Sequence, residues 1–271
     1  MKMDINKLEK VELEVLDSGI WGTVGPYSVS AAKALAEYTG GKFAVLCHSY
    51  DAAYEAVLRY FGARLAGLPH GDVTVVGETS YPSDSLVALC VGSTPEFCPV
   101  CDSCGMISPK SVASEIGGAS LPVRAVVVDY LPESAEKYPL ERIYEICKEK
   151  NIPLVINAGG AIGVRHGDKA LTELCDAALY TLGEGSAIDV GMSGLIVTDS
   201  EATQQGSFAY HNCGRGFGEG CSLVMDNIIG GDLRVTEWTA AAAQTILESG
   251  ELATPTPMTL VKMKGQPVFD K

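Results

Sequence analysis

The hydrophobic positions of this chain alternate between two periodicities. Short runs rich in β-branched residues predict strands at 43–47, 72–76, 85–91, 124–128, 153–156, 177–181 and 194–198. The stretches between them carry apolar residues at helical spacing and predict helices at 29–38, 51–65, 108–116, 140–151 and 170–174. Runs such as AVVV and PLVI are apolar on both faces, which is typical of a largely parallel sheet covered by helices on both sides.

The last third of the chain is less regular. The segment 203–227 is rich in glycine and polar residues around GRGFGEG, which predicts a long loop that faces solvent or a partner. His211 and Asn212 are expected to lie in this loop. A helix is predicted at 236–247, and the Pro- and Thr-containing residues after Gly250 predict a tail with one short strand at 258–263.

Composition and charge narrow the class of protein. The 271 residues are 46% hydrophobic and 20% charged, which indicates one large globular domain, or one domain with a small appendage. The 34 acidic and 20 basic residues give a net charge of −14, which repels phosphate backbones and anionic lipids. We therefore expect no nucleic acid and no membrane partner. No apolar run approaches the ~20 residues of a spanning helix, and the first residues lack the apolar stretch of a signal peptide, so we expect a cytoplasmic protein.

The cysteines are the most unusual feature of the composition. Nine is an odd number in a chain too large to need disulfides, which favours free thiols or a metal. The segment FCPVCDSCGM spaces Cys98, Cys101 and Cys104 three residues apart, as in zinc ribbons and ferredoxin-like loops. Zinc and a [4Fe–4S] cluster are both compatible with this spacing, and three reduced thiols are the alternative. The best remote candidates for a fourth ligand are Cys213 and Cys221, followed by Cys90 and His48.

Seven segments carry a resemblance to a known family. In chain order they are SGIWGTVGP, AEYTGGKFAVLCHSYDAAYEAVL, GDVTVVGETSYPS, IPLVINAGGAIG, DAALYTLGEGSAIDVGMSGLIVTD, HNCGRG and GGDLRVTEWTAAAAQTIL. Their order and spacing over about 18–247 resemble the DegT/DnrJ/EryC1/StrS family of pyridoxal-phosphate-dependent sugar aminotransferases. The resemblance implies the large domain of fold-type I enzymes, a three-layer α/β/α fold with a mixed, mainly parallel sheet of about seven strands.

The resemblance also implies a domain plan. Residues 1–20 are expected to form an N-terminal arm, 21–248 the aminotransferase-like large domain, and 249–271 a short tail. The tail is expected to be too short to replace the small domain that closes over the substrate in this family.

The cofactor-binding positions implied by the resemblance carry altered residues. Ser186 lies at the position of the family's Schiff-base lysine, and no lysine occurs between Lys169 and Lys262. Asn157 lies at the position of the carboxylate that faces the pyridine nitrogen. A serine hydroxyl cannot form the imine, and an amide carries no charge to hold a pyridinium.

The phosphate and ring contacts are altered as well. The family's phosphate-binding Ser-Gly-Thr corresponds to Ser49-Tyr50-Asp51 here, and Asp51 is predicted to be the N-cap of the following helix. Tyr81 matches the aromatic residue that stacks on the coenzyme ring. The resemblance thus implies pyridoxal or pyridoxamine phosphate as the cofactor, at a degenerate site made of Ser49, Asp51, Tyr81, Asn157 and Ser186.

Three functions fit these observations. The first is a degenerate, non-catalytic subunit of a homodimer, or of a hetero-oligomer with a full-length aminotransferase homologue, which gives its 203–235 loop to the partner's site. The second is an enzyme that uses pyridoxal or pyridoxamine phosphate to act on nucleotide-linked sugars as a transferase or dehydrase, with a cysteine-bound zinc or iron–sulfur centre. The third is a small metal-binding interaction protein that keeps only the scaffold.

Overall fold

A computed structural model describes residues 5–22, 24–63, 71–217, 223–225 and 228–269. Its strands are β1 (Phe43–Cys47), β2 (Asp72–Gly77), β3 (Thr79–Ser80), β4 (Ser93–Cys98), β5 (Val123–Asp129), β6 (Leu154–Asn157), β7 (Arg165–His166), β8 (Lys169–Ala170), β9 (Ala177–Thr181), β10 (Gly194–Thr198), β11 (Arg215–Phe217), β12 (Leu223–Met225) and β13 (Val261–Lys262). Its α-helices are α1 (Ile5–Ser18), α2 (Pro26–Thr39), α3 (Tyr50–Ala63), α4 (Pro82–Cys90), α5 (Pro109–Gly118), α6 (Leu140–Glu149), α7 (Glu201–His211) and α8 (Glu237–Ser249).

Seven strands form the central sheet, in the order β1-β10-β9-β6-β5-β2-β4. β10 is antiparallel to both of its neighbours, and every other pair in this sheet is parallel. The expectation of a mixed, mainly parallel seven-stranded sheet is confirmed. Because the parallel strands end at the same edge, the residues after β5, β6 and β9 are brought together there.

Helices cover both faces of the sheet. One buried apolar cluster joins the sheet to α2, α5, α6 and α8, and a second joins its other face to α3, α4 and α7. This explains why the central strands are apolar on both faces, and it confirms the three-layer α/β/α prediction.

Local residues start several of these helices. Ser108, Ser200 and Thr236 cap α5, α7 and α8, each accepting a hydrogen bond from a backbone N–H in the first turn. Proline at the first position of α2, α4 and α5 has the φ that a helix requires and removes an N–H that would have no partner.

A buried ion pair ties the strands to two helices. The Arg124 guanidinium makes two hydrogen bonds to the Asp72 carboxylate, at 2.8 and 2.7 Å, between β5 and β2. It also donates to the carbonyls of Leu58 on α3 and Val91 after α4. The two parallel hydrogen bonds pair the positive guanidinium with the negative carboxylate, so neither charge is buried without a partner.

Two sequence predictions about these elements are wrong. The predicted helix at 170–174 is only a short 3₁₀ turn, Leu171–Leu174, that follows β8. Residues 85–90 of the predicted strand 85–91 lie in α4, and the strand beside β2 is β4, which was not predicted. A short apolar run is compatible with either structure. Pro82 at the first position, and the burial of Asp84, Val87 and Ala88 at positions i, i+3 and i+4, are typical of the helix.

The predicted long loop also contains a helix. α7 begins the 203–227 segment and packs on α3, with Phe208 buried between them and the sheet. His211 and Asn212, expected in an exposed loop, are 3% and 0% exposed. Burial lowers the pKa of His211 to about 4, so its imidazole is neutral.

The arm and the segment after α8 are also ordered. α1 packs against α8 through Val15, and β13 pairs with β3. In the described residues, we find no helix that combines the length and the hydropathy needed to span a bilayer.

Candidate functional site at the carboxyl ends of the strands

A cavity of about 240 Å³ lies where β6 and β9 end. It is lined by Tyr81, Asn157, Gly159, Gly160, Thr181, Glu184, Gly185, Ser186, Thr256, Pro257, Met258 and Thr259. Three of the five predicted cofactor residues, Tyr81, Asn157 and Ser186, are therefore brought to one cavity. Clefts at the carboxyl ends of strands are the usual ligand sites of α/β sheets.

Asn157 is fixed by hydrogen bonds on both sides of its amide. It lies at the end of β6 and is 1% exposed. Its Nδ2 donates to Asp129 Oδ1 at 2.9 Å, and its Oδ1 accepts from the backbone N–H of Gly159 at 3.0 Å. The backbone N–H of Tyr81 donates to the other Asp129 oxygen at 3.0 Å, so Asp129 joins the ends of three elements.

A second buried carboxyl group lies beside Asp129. Asp84, in the first turn of α4, accepts the hydroxyl hydrogen of Tyr50 at 2.8 Å, and its Oδ2 has no donor facing it among the described groups. Burial and the neighbouring charge of Asp129 raise the pKa of Asp84 well above its ordinary value. Two adjacent buried carboxyl groups cannot both ionise, so we assign the shared proton to Asp84 and the negative charge to Asp129.

The start of α3 differs from the phosphate cradle implied by the sequence. Ser49 accepts the backbone N–H of Ala52 at 3.1 Å and caps the helix, while Asp51 lies exposed in the first turn. The prediction that Asp51 is the N-cap is therefore wrong. The Tyr50 ring is buried and packs edge to face on Tyr81, with ring centroids 5.4 Å apart.

Ser186 is held by its own turn. Its hydroxyl donates to the Ile188 carbonyl, and its backbone N–H donates to the Gly183 carbonyl at 2.9 Å. A Cβ placed on Gly160 would lie 2.6 Å from Ser186 Cα, so this turn is packed tightly against the segment that follows β6. The serine is 2% exposed and its hydroxyl is already paired.

The segment after α8 forms the remaining wall of the cavity. Ala253 and Thr256 donate their backbone N–H groups to the carbonyls of Ala187 and Gly185, at 3.1 and 2.7 Å. Beyond the cavity, β13 pairs with β3, and Met263 donates to the Glu78 carbonyl at 2.8 Å. The segment is thus attached on both sides of the cavity. We call residues 251–263 the strap.

Met258 of the strap lies against the predicted cofactor residues. Its Sδ is 3.5 Å from Asn157 Nδ2, and a Cβ on Gly159 would lie 3.0 Å from its Cε. Neither contact was predicted from the sequence, and no local signal could have shown it, because Met258 and Asn157 are separated by 101 residues.

The residues present do not fit pyridoxal phosphate held in the family's way. Among the described residues, no lysine lines the cavity. The resemblance implies that Asn157 lies opposite a pyridine nitrogen and that Tyr50 takes the position of a glycine next to a phosphate. In the structure, Met258 lies against the Asn157 amide, and Tyr50 carries a side chain where a glycine would let backbone approach a phosphate. We therefore derive no catalytic step that depends on this cofactor.

The predicted metal ligands do not form a ligand set in the described residues. Cys98 is buried at the end of β4, Cys101 and Cys104 lie partly exposed in the following turn, and Cys213 belongs to the turn after α7. No group of three or more His, Cys, Asp or Glu side chains that could hold a metal occurs in the described part of the chain. Zinc or an iron–sulfur cluster at these positions is therefore not supported; Cys221, a further candidate, lies outside the described residues.

Asp84 was missed in the sequence because the residues that follow it, 85–91, were predicted as a strand. An acidic residue two positions after Pro82 is typical of the first turn of a helix, and this signal was available. Its burial, in contrast, depends on the packing of Tyr50 and Asn157 around it.

Known structures share this fold. The aminotransferase PseC of Helicobacter pylori, described as involved in the biosynthesis of pseudoaminic acid, superposes with a TM-score of 0.74 and 20% identity, over 90% of this chain and 62% of that protein. A Bacillus subtilis structure, ntda with bound cofactor pmp, superposes with a TM-score of 0.76 and 18% identity, over 90% of this chain and 52% of that protein.

Curated relatives are similarly distant. GDP-perosamine synthase of Caulobacter vibrioides is 23% identical over 203 residues, which are 74% of this chain and 51% of that protein. 3-Amino-5-hydroxybenzoate synthase of Amycolatopsis mediterranei is 22% identical over 238 residues, which are 87% of this chain and 58% of that protein. The chain therefore spans about half the length of the curated relatives it matches.

The match to the family as a whole is broader than the match to any of these relatives. The model of the DegT/DnrJ/EryC1/StrS aminotransferase family aligns with residues 2–254. That alignment contains the central sheet, α1 to α8 and the cavity residues from Tyr81 to Ser186. With most of its length matched and the fold in agreement, this chain belongs to the DegT/DnrJ/EryC1/StrS aminotransferase family.

Proposed function

We propose that this chain does not carry out transamination through pyridoxal phosphate, and that it acts as a subunit of a homo- or hetero-oligomer. The observation that carries the proposal is the composition of the cavity. A lysine is required to bind the coenzyme aldehyde covalently, and the corresponding wall holds the paired hydroxyl of Ser186. The space beside Asn157 holds Met258 of the same chain.

The start of α3 supports the same proposal. Phosphate sites at helix N-termini need close approach of backbone N–H groups. Here Ser49 already caps one of them, and the exposed Asp51 adds negative charge at the position where a phosphate would bind. Repulsion between a carboxylate and a phosphate opposes coenzyme binding at this point.

Coenzyme titration of the purified full chain tests the proposal. In equilibrium dialysis, we expect no saturable binding of pyridoxal or pyridoxamine phosphate at concentrations below ~1 mM. A dissociation constant of ~1 mM corresponds to a binding free energy of only about 4 kcal/mol. Met258→Ala should show saturable binding with a dissociation constant of about 0.1 mM or less, because it removes the side chain beside Asn157. Met192→Ala, at an exposed methionine, is the matched control and should behave as wild type. Stoichiometric micromolar binding by the wild-type protein would overturn the proposal.

The oligomeric part of the proposal rests on exposed apolar side chains. Leu13 and Leu16, three residues apart on α1, are 51% and 48% exposed, and Trp21 in the following turn is 49% exposed and packs on Trp238. Adjacent exposed apolar side chains of this size are typical of protein interfaces. We expect this surface, Leu13, Leu16 and Trp21, to be covered by another subunit.

Light scattering coupled to size exclusion tests this surface. The wild-type chain should run as a dimer or as a larger assembly, and Leu16→Glu should shift it to monomer by placing a charge in the interface. Met192→Glu, at a 67%-exposed methionine between β9 and β10, is the control and should leave the mass unchanged. A wild-type monomer that also fails to associate with a full-length homologue would rule out the subunit role.

A second candidate function is favoured by one observation. Asp129 Oδ1 lies 2.9 Å from Asn157 Nδ2, on the neighbouring strand. A carboxylate is therefore present directly beside the position at which the resemblance implies one. An active transferase or dehydrase that binds pyridoxamine phosphate without covalent attachment, and acts on nucleotide-linked sugars, would use it. In that case wild type binds pyridoxamine phosphate in the same dialysis, and Asp129→Asn loses the binding.

A further inference from the structure

The turn after β4 holds two thiols that the proposed function does not use. Val100 and Ile107 form an antiparallel bridge that closes the turn, and Cys101 donates its backbone N–H to the Met106 carbonyl at 2.9 Å. Within it, Gly105 and Cys104 donate to the Cys101 carbonyl, at 2.8 and 3.4 Å. These bonds hold Cys101 and Cys104 on one tight turn.

The three thiols of the CPVCDSC segment have different environments. The Cys98 side chain is fully buried, and burial raises its pKa to about 12, so it stays protonated. Cys101 and Cys104 are partly exposed. Cys98 is therefore a packed, inert side chain, and only the other two thiols are accessible to a reagent.

Cys101 and Cys104 are also different from each other. Cys101 Sγ lies 3.0 Å from Ser103 Oγ. Hydrogen bonds from Ser103 and from the Cys104 thiol lower the pKa of Cys101 to about 7. Partial burial and the neighbouring Cys101 raise the pKa of Cys104, whose Sγ lies 3.9 Å from the Met106 carbonyl oxygen. Cys101 is thus partly exposed and ionises near neutral pH, whereas Cys104 keeps its proton.

We propose that Cys101 and Cys104 are a redox-active dithiol that exchanges with small-molecule disulfides such as oxidised glutathione. The Cys101 thiolate attacks one sulfur of the disulfide, forms a mixed disulfide and releases one glutathione thiolate. Cys104 then loses its proton and attacks Cys101 Sγ, which forms the Cys101–Cys104 bond and releases the second thiolate. The protein loses two electrons and the small disulfide gains them, while the protons pass to the released thiolates.

The turn geometry suits both halves of this exchange. A residue spacing of Cys-x-x-Cys in a turn brings the resolving thiol to the attacked sulfur without unfolding the chain. The Cys104 backbone N–H donates to the Cys101 carbonyl at 3.4 Å, so the two cysteines lie at the two ends of one tight turn. A metal would need at least one further ligand beside them, and the described residues provide no such group.

Alkylation rates test the first half of the exchange. At about pH 7, Cys101 should react with iodoacetamide about tenfold faster than Cys90, the exposed thiol on α4, because about half of its population is thiolate. Peptide mapping by mass spectrometry measures both rates in one sample of the full chain. Equal rates at the two cysteines would refute the assignment of Cys101 as the nucleophile.

Trapping of the mixed disulfide tests the second half. With oxidised glutathione, wild type should lose the thiols of Cys101 and Cys104 together and regain them in dithiothreitol. Cys104→Ser should accumulate one glutathione on Cys101, Cys101→Ser should accumulate none at Cys104, and Cys90→Ser should match wild type.

Three results would overturn the proposal. The first is that wild type carries separate glutathione adducts on Cys101 and Cys104. The second is that Cys104→Ser forms no glutathione adduct. The third is that the purified protein contains stoichiometric zinc or iron, which is released when these thiols are alkylated. These results are independent of the coenzyme and oligomer proposals, because dialysis measures coenzyme binding and light scattering measures mass, and neither depends on the state of these thiols.

Discussion

Replacement of Asp84 by Asn should change how the stability of the protein depends on pH. Asp84 is 1% exposed, accepts the Tyr50 hydroxyl hydrogen at 2.8 Å and lies beside the charge of Asp129. Burial and that charge raise its pKa well above the ordinary value of 3.8. Asn keeps the shape of the protonated carboxyl group and can donate to Asp129 in the same way, but it does not titrate.

The sign of the effect follows from proton binding. A carboxyl group whose pKa is raised by folding binds its proton more tightly in the folded state than in the unfolded chain. The stability that this proton contributes is fully present below the ordinary pKa and is lost as the pH rises through the folded value. One proton changes the free energy of unfolding by at most about 1.4 kcal/mol per pH unit. Wild type should therefore lose stability relative to Asp84→Asn by up to that amount per unit above about pH 4.

Urea unfolding of the two proteins, followed by circular dichroism at about pH 5, 6 and 7, measures the difference directly. Groups that titrate identically in both proteins cancel in the comparison, including the rest of the large acidic surface. Asp51→Asn, at an exposed position near the start of α3, is the control and should track wild type within about 0.5 kcal/mol. Parallel stability curves for wild type and Asp84→Asn would show that Asp84 ionises at its ordinary pKa, and would refute the assignment of the proton.

Two further predictions concern the scaffold that places the site. Arg124→Met should lower the free energy of unfolding by about 3–5 kcal/mol in urea, because it leaves the Asp72 carboxylate buried without a partner. Arg59→Met, which breaks a partly exposed pair on α3, should cost less than about 1 kcal/mol. Gly194→Ala should cost more than about 2 kcal/mol in thermal unfolding, since its Cβ would lie 2.2 Å from a backbone carbonyl oxygen at the start of α3. Gly117→Ala, with open space around it on α5, should be neutral or slightly stabilising. In either experiment, a loss of stability in the control as large as that in the test variant would contradict the reasoning.

The central strands were predictable because their signal is local. Parallel strands buried on both faces contain continuous apolar runs, and β5 and β6 each contain such a run. The misassigned 85–91 segment has the same local character at the same length. The difference between strand and helix there depends on contacts with α3 and β4, which a single short window does not contain.

The cavity was predictable in part. The resemblance implies that Tyr81, Asn157 and Ser186 belong to one site, and in the structure the three residues line one cavity. The contacts that give the cavity its present character were not predictable, because Met258 reaches Asn157 from a segment far along the chain. The same is true of Asp84, whose protonation depends on burial.

The sequence by itself determined the α/β class, the family and the absence of lysine between Lys169 and Lys262, since each is carried by residue identity and by periodicity within short windows. Only the tertiary structure decided which groups surround those positions. It buried Asp84 beside Asp129, placed Met258 of the strap against Asn157 and held Cys101 and Cys104 at the two ends of one tight turn. The physical reason is that burial, proton sharing and access to a thiol depend on distances between segments that are remote in sequence, and these distances exist only after the layers pack.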